Sequence, residues 1–289
     1  MSNPDEYPVL WLQGAGCSGC SVSLLNSVSP TIRNALIDEV IPGKHLNLRF
    51  HPTIMAGAGE VVIEELERAR QEGGYILVVE GAIPLGAEGA YCLVGEREGR
   101  DIPLAWWVEE LSGSALAVLA VGSCAAFGGI PAGGINPTSC TSVRELLSSR
   151  DIDTPLINIP GCPPHPDWIL GTVASLLLQG LPGPDELDLF LRPKAFYGAL
   201  IHENCPRRAY FDEGKFAKRF GEEGCLYELG CKGPVTHGDC PLRQWNQGLN
   251  WCVGSGAPCI GCTEPTFPDD LGPLYEKVTD VELSAGEKR

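Results

Sequence analysis

Short apolar runs punctuate the first two thirds of the chain. Residues 9–14 (VLWLQG), 46–52 (LNLRFHP), 75–81 (YILVVEG), 114–122 (SALAVLAVG) and 155–160 (PLINIP) have strand length, and most are bounded by Gly or Pro. Between them lie stretches with helical spacing. Residues 20–28 (CSVSLLNSV) carry helical periodicity, and 60–70 (EVVIEELERAR) place Val61, Glu64/Glu65 and Arg68 in helical register. Residues 167–179 read as a final helix before a turn. Strand, helix, strand at these intervals predicts an α/β fold, a doubly wound parallel sheet with helices on both faces. The segment 180–188 (GLPGPDELD) reads as a linker. It divides a domain over 1–190 from a second over 191–289. From 202 to 268 periodicity fades while Cys, Gly, Pro and Trp recur, the texture of a segment that folds around metal. The last twenty residues read as an exposed tail.

Composition narrows the partners. The 289 residues carry 37 acids against 21 bases, a net charge of -16. Nucleic acid and anionic membrane surfaces need a basic face that this balance does not supply. The apolar run 168–184 is uncharged but broken by Gly171, Gln179, Gly180, Pro182 and Gly183, so no membrane span is expected. The start, MSNPDEYP, has neither a basic stretch nor a twin arginine. As written, this predicts a cytoplasmic location, or a periplasmic one if an export signal has been removed.

Thirteen cysteines change the picture. An odd number cannot be wholly paired, and a chain this long does not need disulfide staples. Gly14, Gly16 and Gly19 form a GxGxxG pattern after a strand. A dinucleotide site would need an acid at the end of the second strand, where His51 and Pro52 stand. Cys17 and Cys20 occupy that loop instead, and a Cys-x-x-Cys pair at a helix N-terminus suits thiolates. A redox dithiol is the alternative reading. Cys124 and Cys162 follow two further strands. In a doubly wound sheet such loops gather at one edge, so Cys17, Cys20, Cys124 and Cys162 can converge on one [4Fe–4S] cluster or one zinc. The second half holds His202, Cys205, Cys225, Cys231, Cys240, Cys252, Cys259 and Cys262. CIGCTEP resembles iron–sulfur loops, and two zinc sites could use the same eight groups.

The stretches GCSGCSVSLLN, VEGAIP, VGSCAAFGGIP, PGCPPHPDW, IHENCPR, CLYELGCKGP and NWCVGSGAPCIGCTEP span nearly the whole chain. Together they resemble the small subunit of nickel–iron hydrogenases. The iron–sulfur subunit of complex I shares only the logic of the first domain. The resemblance implies a flavodoxin-like first domain whose Cys17, Cys20, Cys124 and Cys162 hold a proximal [4Fe–4S] cluster. It implies a distal [4Fe–4S] cluster on His202, Cys205, Cys225 and Cys231, and a medial cluster on Cys240, Cys252, Cys259 and Cys262. Many members have Pro at the position of Cys252 and hold a [3Fe–4S] centre there. Cys252 therefore implies a third [4Fe–4S] cluster, the pattern of the nickel–iron–selenium type; without Cys252 as a ligand the medial centre would be [3Fe–4S]. Oxygen-tolerant relatives add two proximal cysteines where this chain has Gly19 and Gly129.

The implied function is electron relay. The hydrogen-converting nickel–iron site belongs to a large-subunit partner, and the outward partner is a cytochrome, a ferredoxin or another redox subunit. A quinone-side or ferredoxin-type carrier and a zinc-stapled structural protein are the competing classes. The remaining residues have plainer readings. Cys92 and Cys140 are left over as inert thiols, and His165 holds a loop. His45, His51 and His237 lack a second ligand at metal spacing. Trp245, Trp251 and Phe267 supply dry packing, and the acids of 60–67 form a solvated helix face. Glu80 is either a solvated strand-end carboxylate or a residue beside the proximal cluster and the subunit interface.

Overall fold

The computed structural model describes residues 5–277. The chain falls into two compact units, the first ending at Leu191 and the second beginning at Arg192.

The first unit is built on five parallel strands: β1 (Asp5–Gln13), β2 (Lys44–Phe50), β3 (Ile76–Glu80), β4 (Ala117–Val121) and β5 (Leu156–Ile159). Their order in the sheet is β2-β1-β3-β4-β5, the doubly wound arrangement expected. Both faces of β3 and β4 are covered, so all ten of their residues are buried and the runs are apolar rather than alternating. Leu10, Leu12, Leu77, Val79, Val118 and Ala120 join one core with Leu66, Trp107 and Val108. Trp11, Val78 and Leu119 are equally buried and by alternation point to the other face.

β1 starts four residues before the apolar run. Asp5 to Pro8 pair only with β2, whereas β3 joins from Val9 onward. A polar start is tolerated because that stretch has a neighbour on one side only. The helix Leu104–Ser112 has no clear sequence signature, because Leu104, Ala105, Trp107, Val108 and Leu111 are buried almost all round it. The antiparallel pair Leu93–Arg97 and Arg100–Pro103 is also unforeseen; its residues are mostly exposed. On the helix Glu60–Glu72, the acids are less solvated than expected. Glu65 pairs with Arg49 at 2.5 Å, and Glu67 pairs with Arg70 at 3.1 Å and with Arg97.

The second unit has little regular structure. Its described helical pieces, such as Ile201–Asn204, Arg208–Asp212 and Cys240–Arg243, are five residues or shorter. Its small core joins Ile201, Ala217, Leu226, Trp251 and Val253 with Cys231 and Cys259, and Trp245 packs against it. Phe267 is buried as well. The end of the chain is not simply a tail. Leu271 is buried, Tyr275 meets Phe220 edge-on at 5.8 Å, and Lys277 pairs with Glu228 at 3.2 Å. The rest of the expected tail, 278–289, lies outside the described residues.

Leu66 is fully enclosed on the inner face of Glu60–Glu72. Leu66→Ala should cost about 2–5 kcal/mol, the usual range for such a cavity. It should therefore lower the thermal midpoint of the first unit, read by circular dichroism of the helical signal.

Candidate metal centres

The register of the sheet sets up the first centre. Gln13 pairs with Glu80, Glu80 with Val121, and Val121 with Ile159, so four strands end in one row. Cys17 and Cys20 follow the first of these ends, Cys124 the third and Cys162 the fourth. The loops lie directly against one another. A side chain at Gly16 would meet Cys124 Sγ at 3.8 Å, and one at Gly122 would meet Cys20 Sγ at 2.5 Å. Gly122 has φ +89, which suits glycine. Ser123 Oγ accepts from Gly161 N at 2.9 Å, tying the Cys124 loop to the Cys162 loop.

Crowding has an electrostatic consequence. Burial first, then the charges of Glu80, Cys124, Cys17 and Cys162, holds the Cys20 thiol far above its usual range. Burial and the nearby Cys162 push Cys124 up to about 11. Burial and Cys17 raise Cys162. Cys20, Cys124 and Cys162 thus each feel neighbouring sulfurs, and the thiolate forms need a positive body among them.

Glu80 is no solvated strand end. It is 1% exposed. Its Oε1 accepts from Cys20 N at 3.0 Å and Ser21 N at 3.1 Å. Its Oε2 accepts from Trp11 Nε1 at 2.9 Å, Gln13 Nε2 at 3.0 Å and Ser21 Oγ at 2.5 Å. This removes the first of the two readings of Glu80. The hint in the sequence is a carboxylate closing an otherwise apolar strand.

In the second unit the sulfurs fall into two neighbouring sets that also feel each other, Cys205 with Cys252 and Cys259 with Cys231. Burial raises Cys205, Cys225 and Cys231, the last to about 11, and Cys231 also feels Cys205 and Cys225. The His202 backbone stands beside them: a side chain at Gly233 would meet Cys231 Sγ at 3.5 Å and the His202 backbone N at 4.0 Å. The imidazole packs edge-on to Phe211, with ring centres 4.5 Å apart, and its Nε2 is shielded from solvent. Cys240 is raised by burial and then by Cys262 and Cys252. Cys252 is lowered by a hydrogen bond from Cys259, and the same bond and burial raise Cys259. The groups touch where Cys259 N donates to Cys231 Sγ at 3.4 Å.

Among the described residues, no three His, Cys, Asp or Glu side chains close to the spacing of a single bound ion. Zinc draws its sulfurs to about 2.3 Å from one centre; a cubane holds its thiolates at the corners of a larger body. Four thiol or imidazole groups per set are the donor number of a cubane and of a tetrahedral zinc alike.

Two residues of the second unit carry no sequence signal. Arg192, 1% exposed, donates to Thr263 O at 2.9 Å and Glu264 Oε1 at 3.1 Å, directly after Cys262. Glu264 also accepts from His237 N at 2.6 Å. Burial pushes the Glu264 carboxyl up, but the His237 hydrogen bond and the Arg192 charge outweigh it and leave it below its usual value. The remaining expectations are met more simply. His165 Nδ1 accepts from Asp167 N at 3.0 Å and caps the helix Pro166–Gln179. Cys140 is buried, and burial raises Cys92.

Residues 197–275 match the C-terminal family of NiFe/NiFeSe hydrogenase small subunits, and residues 17–176 match the family of the NADH ubiquinone oxidoreductase 20 kDa subunit. The periplasmic [NiFeSe] hydrogenase small subunit of Desulfomicrobium baculatum is 46% identical, over 93% of this chain and 87% of that one. The chain belongs to the small subunits of nickel–iron hydrogenases. This small subunit is also similar to the hydrogenase-2 small chain of Escherichia coli K12, at 41% identity over 91% of this chain and 68% of that one. The [NiFeSe] hydrogenase of Desulfovibrio vulgaris Hildenborough matches in structure with a TM-score of 0.87. The two are 46% identical, and the match covers 94% of this chain and 98% of that one. Such small subunits pair with a large subunit and carry iron–sulfur clusters.

Gly122→Ala should displace Cys20 Sγ, because the new methyl would lie 2.5 Å from it. The expected outcome is a lower content of iron and acid-labile sulfide per chain than in wild type, measured by chemical analysis of the purified protein.

Proposed function

We propose that this small subunit relays single electrons between the hydrogen-converting site of its large subunit and an external acceptor, through three [4Fe–4S] clusters. Cys17, Cys20, Cys124 and Cys162 hold the proximal cluster, Cys240, Cys252, Cys259 and Cys262 the medial one, and His202, Cys205, Cys225 and Cys231 the distal one. The observation that carries this reading is that four thiols converge at the strand ends and seven more crowd together in the second unit, with the His202 backbone beside Cys231. The clusters, when bound, accept and pass on one electron each in turn. The protein fixes their places and surrounds them with dry walls: the row of strand ends for the first, and Trp251, Phe267 and the small core for the others. The Cys259 N–Cys231 Sγ hydrogen bond is the shortest described link between the medial and distal groups.

The proximal cluster is an ordinary four-cysteine cubane. Gly19 and Gly129 bring no sulfur of their own, and a side chain at Gly129, with φ +50, would meet the Cys124 backbone at 2.9 Å. A ferredoxin-type carrier would share the first four ligands without needing the second eight, and a zinc-stapled protein would be colourless. Hydrogen-dependent dye reduction by the brown two-subunit complex separates hydrogenase from both. The cytoplasmic expectation finds no support among the relatives. The D. baculatum subunit is named periplasmic, and we propose that compartment here, to be checked by cell fractionation. No helix among the described residues is long and apolar enough to cross a membrane. The outward partner is a cytochrome, a ferredoxin or another redox subunit.

Cys252→Pro should turn the medial cluster into a [3Fe–4S] centre with a higher potential, since an anionic ligand is lost. Electron paramagnetic resonance of the oxidised complex reads this directly; a wild-type protein already showing that signal strongly would count against Cys252 as a ligand.

His202→Ala should slow dye reduction severalfold and leave H⁺/D₂ exchange nearly intact, because exchange exports no electrons. A joint fall of both would mean that His202 supports the fold, and no change in either would place the exit elsewhere.

A further inference from the structure

Five donors converge on the Glu80 carboxylate, and no described neighbour offers it an acceptor in their place. The hydrogen assignments are forced in turn. Thr53 N donates to His51 Nδ1 at 3.3 Å, so His51 carries its hydrogen on Nε2. That Nε2–H points to Ser21 Oγ at 3.1 Å, leaving the serine hydroxyl to give its own hydrogen to Glu80 Oε2. The His51 ring is itself fixed by stacking on Trp11, with centres 5.2 Å apart. An ionised carboxylate satisfies all five donors, whereas a neutral acid would set its own hydrogen against one of them. The charge is held without a paired cation: the described ion pairs of Arg and Lys all lie with other acids. It stands one hydrogen bond from the backbone of Cys20.

We propose that Glu80 is a fixed buried negative charge that holds down the reduction potential of the cluster on Cys17, Cys20, Cys124 and Cys162. The proposal rests on the proximal-cluster reading above. Reduction adds negative charge to the cluster, and a nearby anion in a dry site opposes it. Glu80 is a positioning and charge-setting residue; it touches the loop that bears Cys20 and not the reacting hydrogen.

The test is a redox titration of the purified two-subunit complex, followed by electron paramagnetic resonance. The proximal signal is recognised as the one whose line shape a Cys162→Ser substitution changes. Glu80→Gln alone would leave the Trp11 indole, which can only donate, facing an amide NH₂. The comparison is therefore between Trp11→Phe and the double variant Trp11→Phe/Glu80→Gln, in which Gln13 can turn its amide to present its oxygen to the new NH₂, so that the two differ chiefly by the charge. The expected result is a proximal potential shifted upward in the double variant and unchanged in Trp11→Phe, with the other two clusters unmoved. Equal potentials in the two variants would overturn the proposal. So would loss of the proximal cluster in the double variant alone, because Glu80 would then be a folding anchor. If wild type shows no signal that responds to Cys162→Ser, the proximal-cluster reading itself fails, an outcome distinct from either.

Discussion

Four sulfurs brought to one edge of a parallel sheet repel one another once ionised, and burial sharpens the repulsion. Cys20 and Cys124 show the effect most strongly, each pushed up first by burial and then by charged neighbours. A compact positive body resolves this, because it converts four unfavourable thiolates into four bonds. The architecture of the first unit is arranged around that need. Strand ends in register, glycines that let one loop lie on another, and the Ser123–Gly161 tie bring the sulfurs close.

The second unit meets the same constraint without a sheet. Its helical pieces are too short to be stable alone, and its core includes the ligand candidates Cys231 and Cys259 among its apolar members. Candidate ligand and core residue are there the same residue, the arrangement in which metal binding is coupled to folding. The pair Cys252 and Cys259 illustrates the coupling. A single hydrogen bond lowers one thiol and raises the other.

Charge is placed with care in each unit. The first buries a carboxylate, Glu80, among five donors beside Cys20. The second buries a guanidinium, Arg192, against the carbonyl and carboxylate that follow Cys262. A buried charge is costly unless hydrogen bonds satisfy it, and both are well supplied. Their partners come from residues far apart in the chain, Trp11 for the one and Thr263 for the other.

The sequence by itself determined the layered α/β class, the five apolar strands and the family, because these depend on local periodicity and on short cysteine motifs whose spacing is chemical. It missed the polar start of β1 and the helix Leu104–Ser112, whose hydrophobicity reflects neighbours and not their own period. It left Glu80 open between a solvated and a buried role, and it gave no sign of Arg192. Only the tertiary structure decided these, since burial and hydrogen bonding are properties of what surrounds a side chain. Glu80 ends a strand in either reading; that Trp11, Gln13 and Ser21 turn their donors toward it follows from the register of β1 on β3 and from the loop that carries Cys20 back over the strand end.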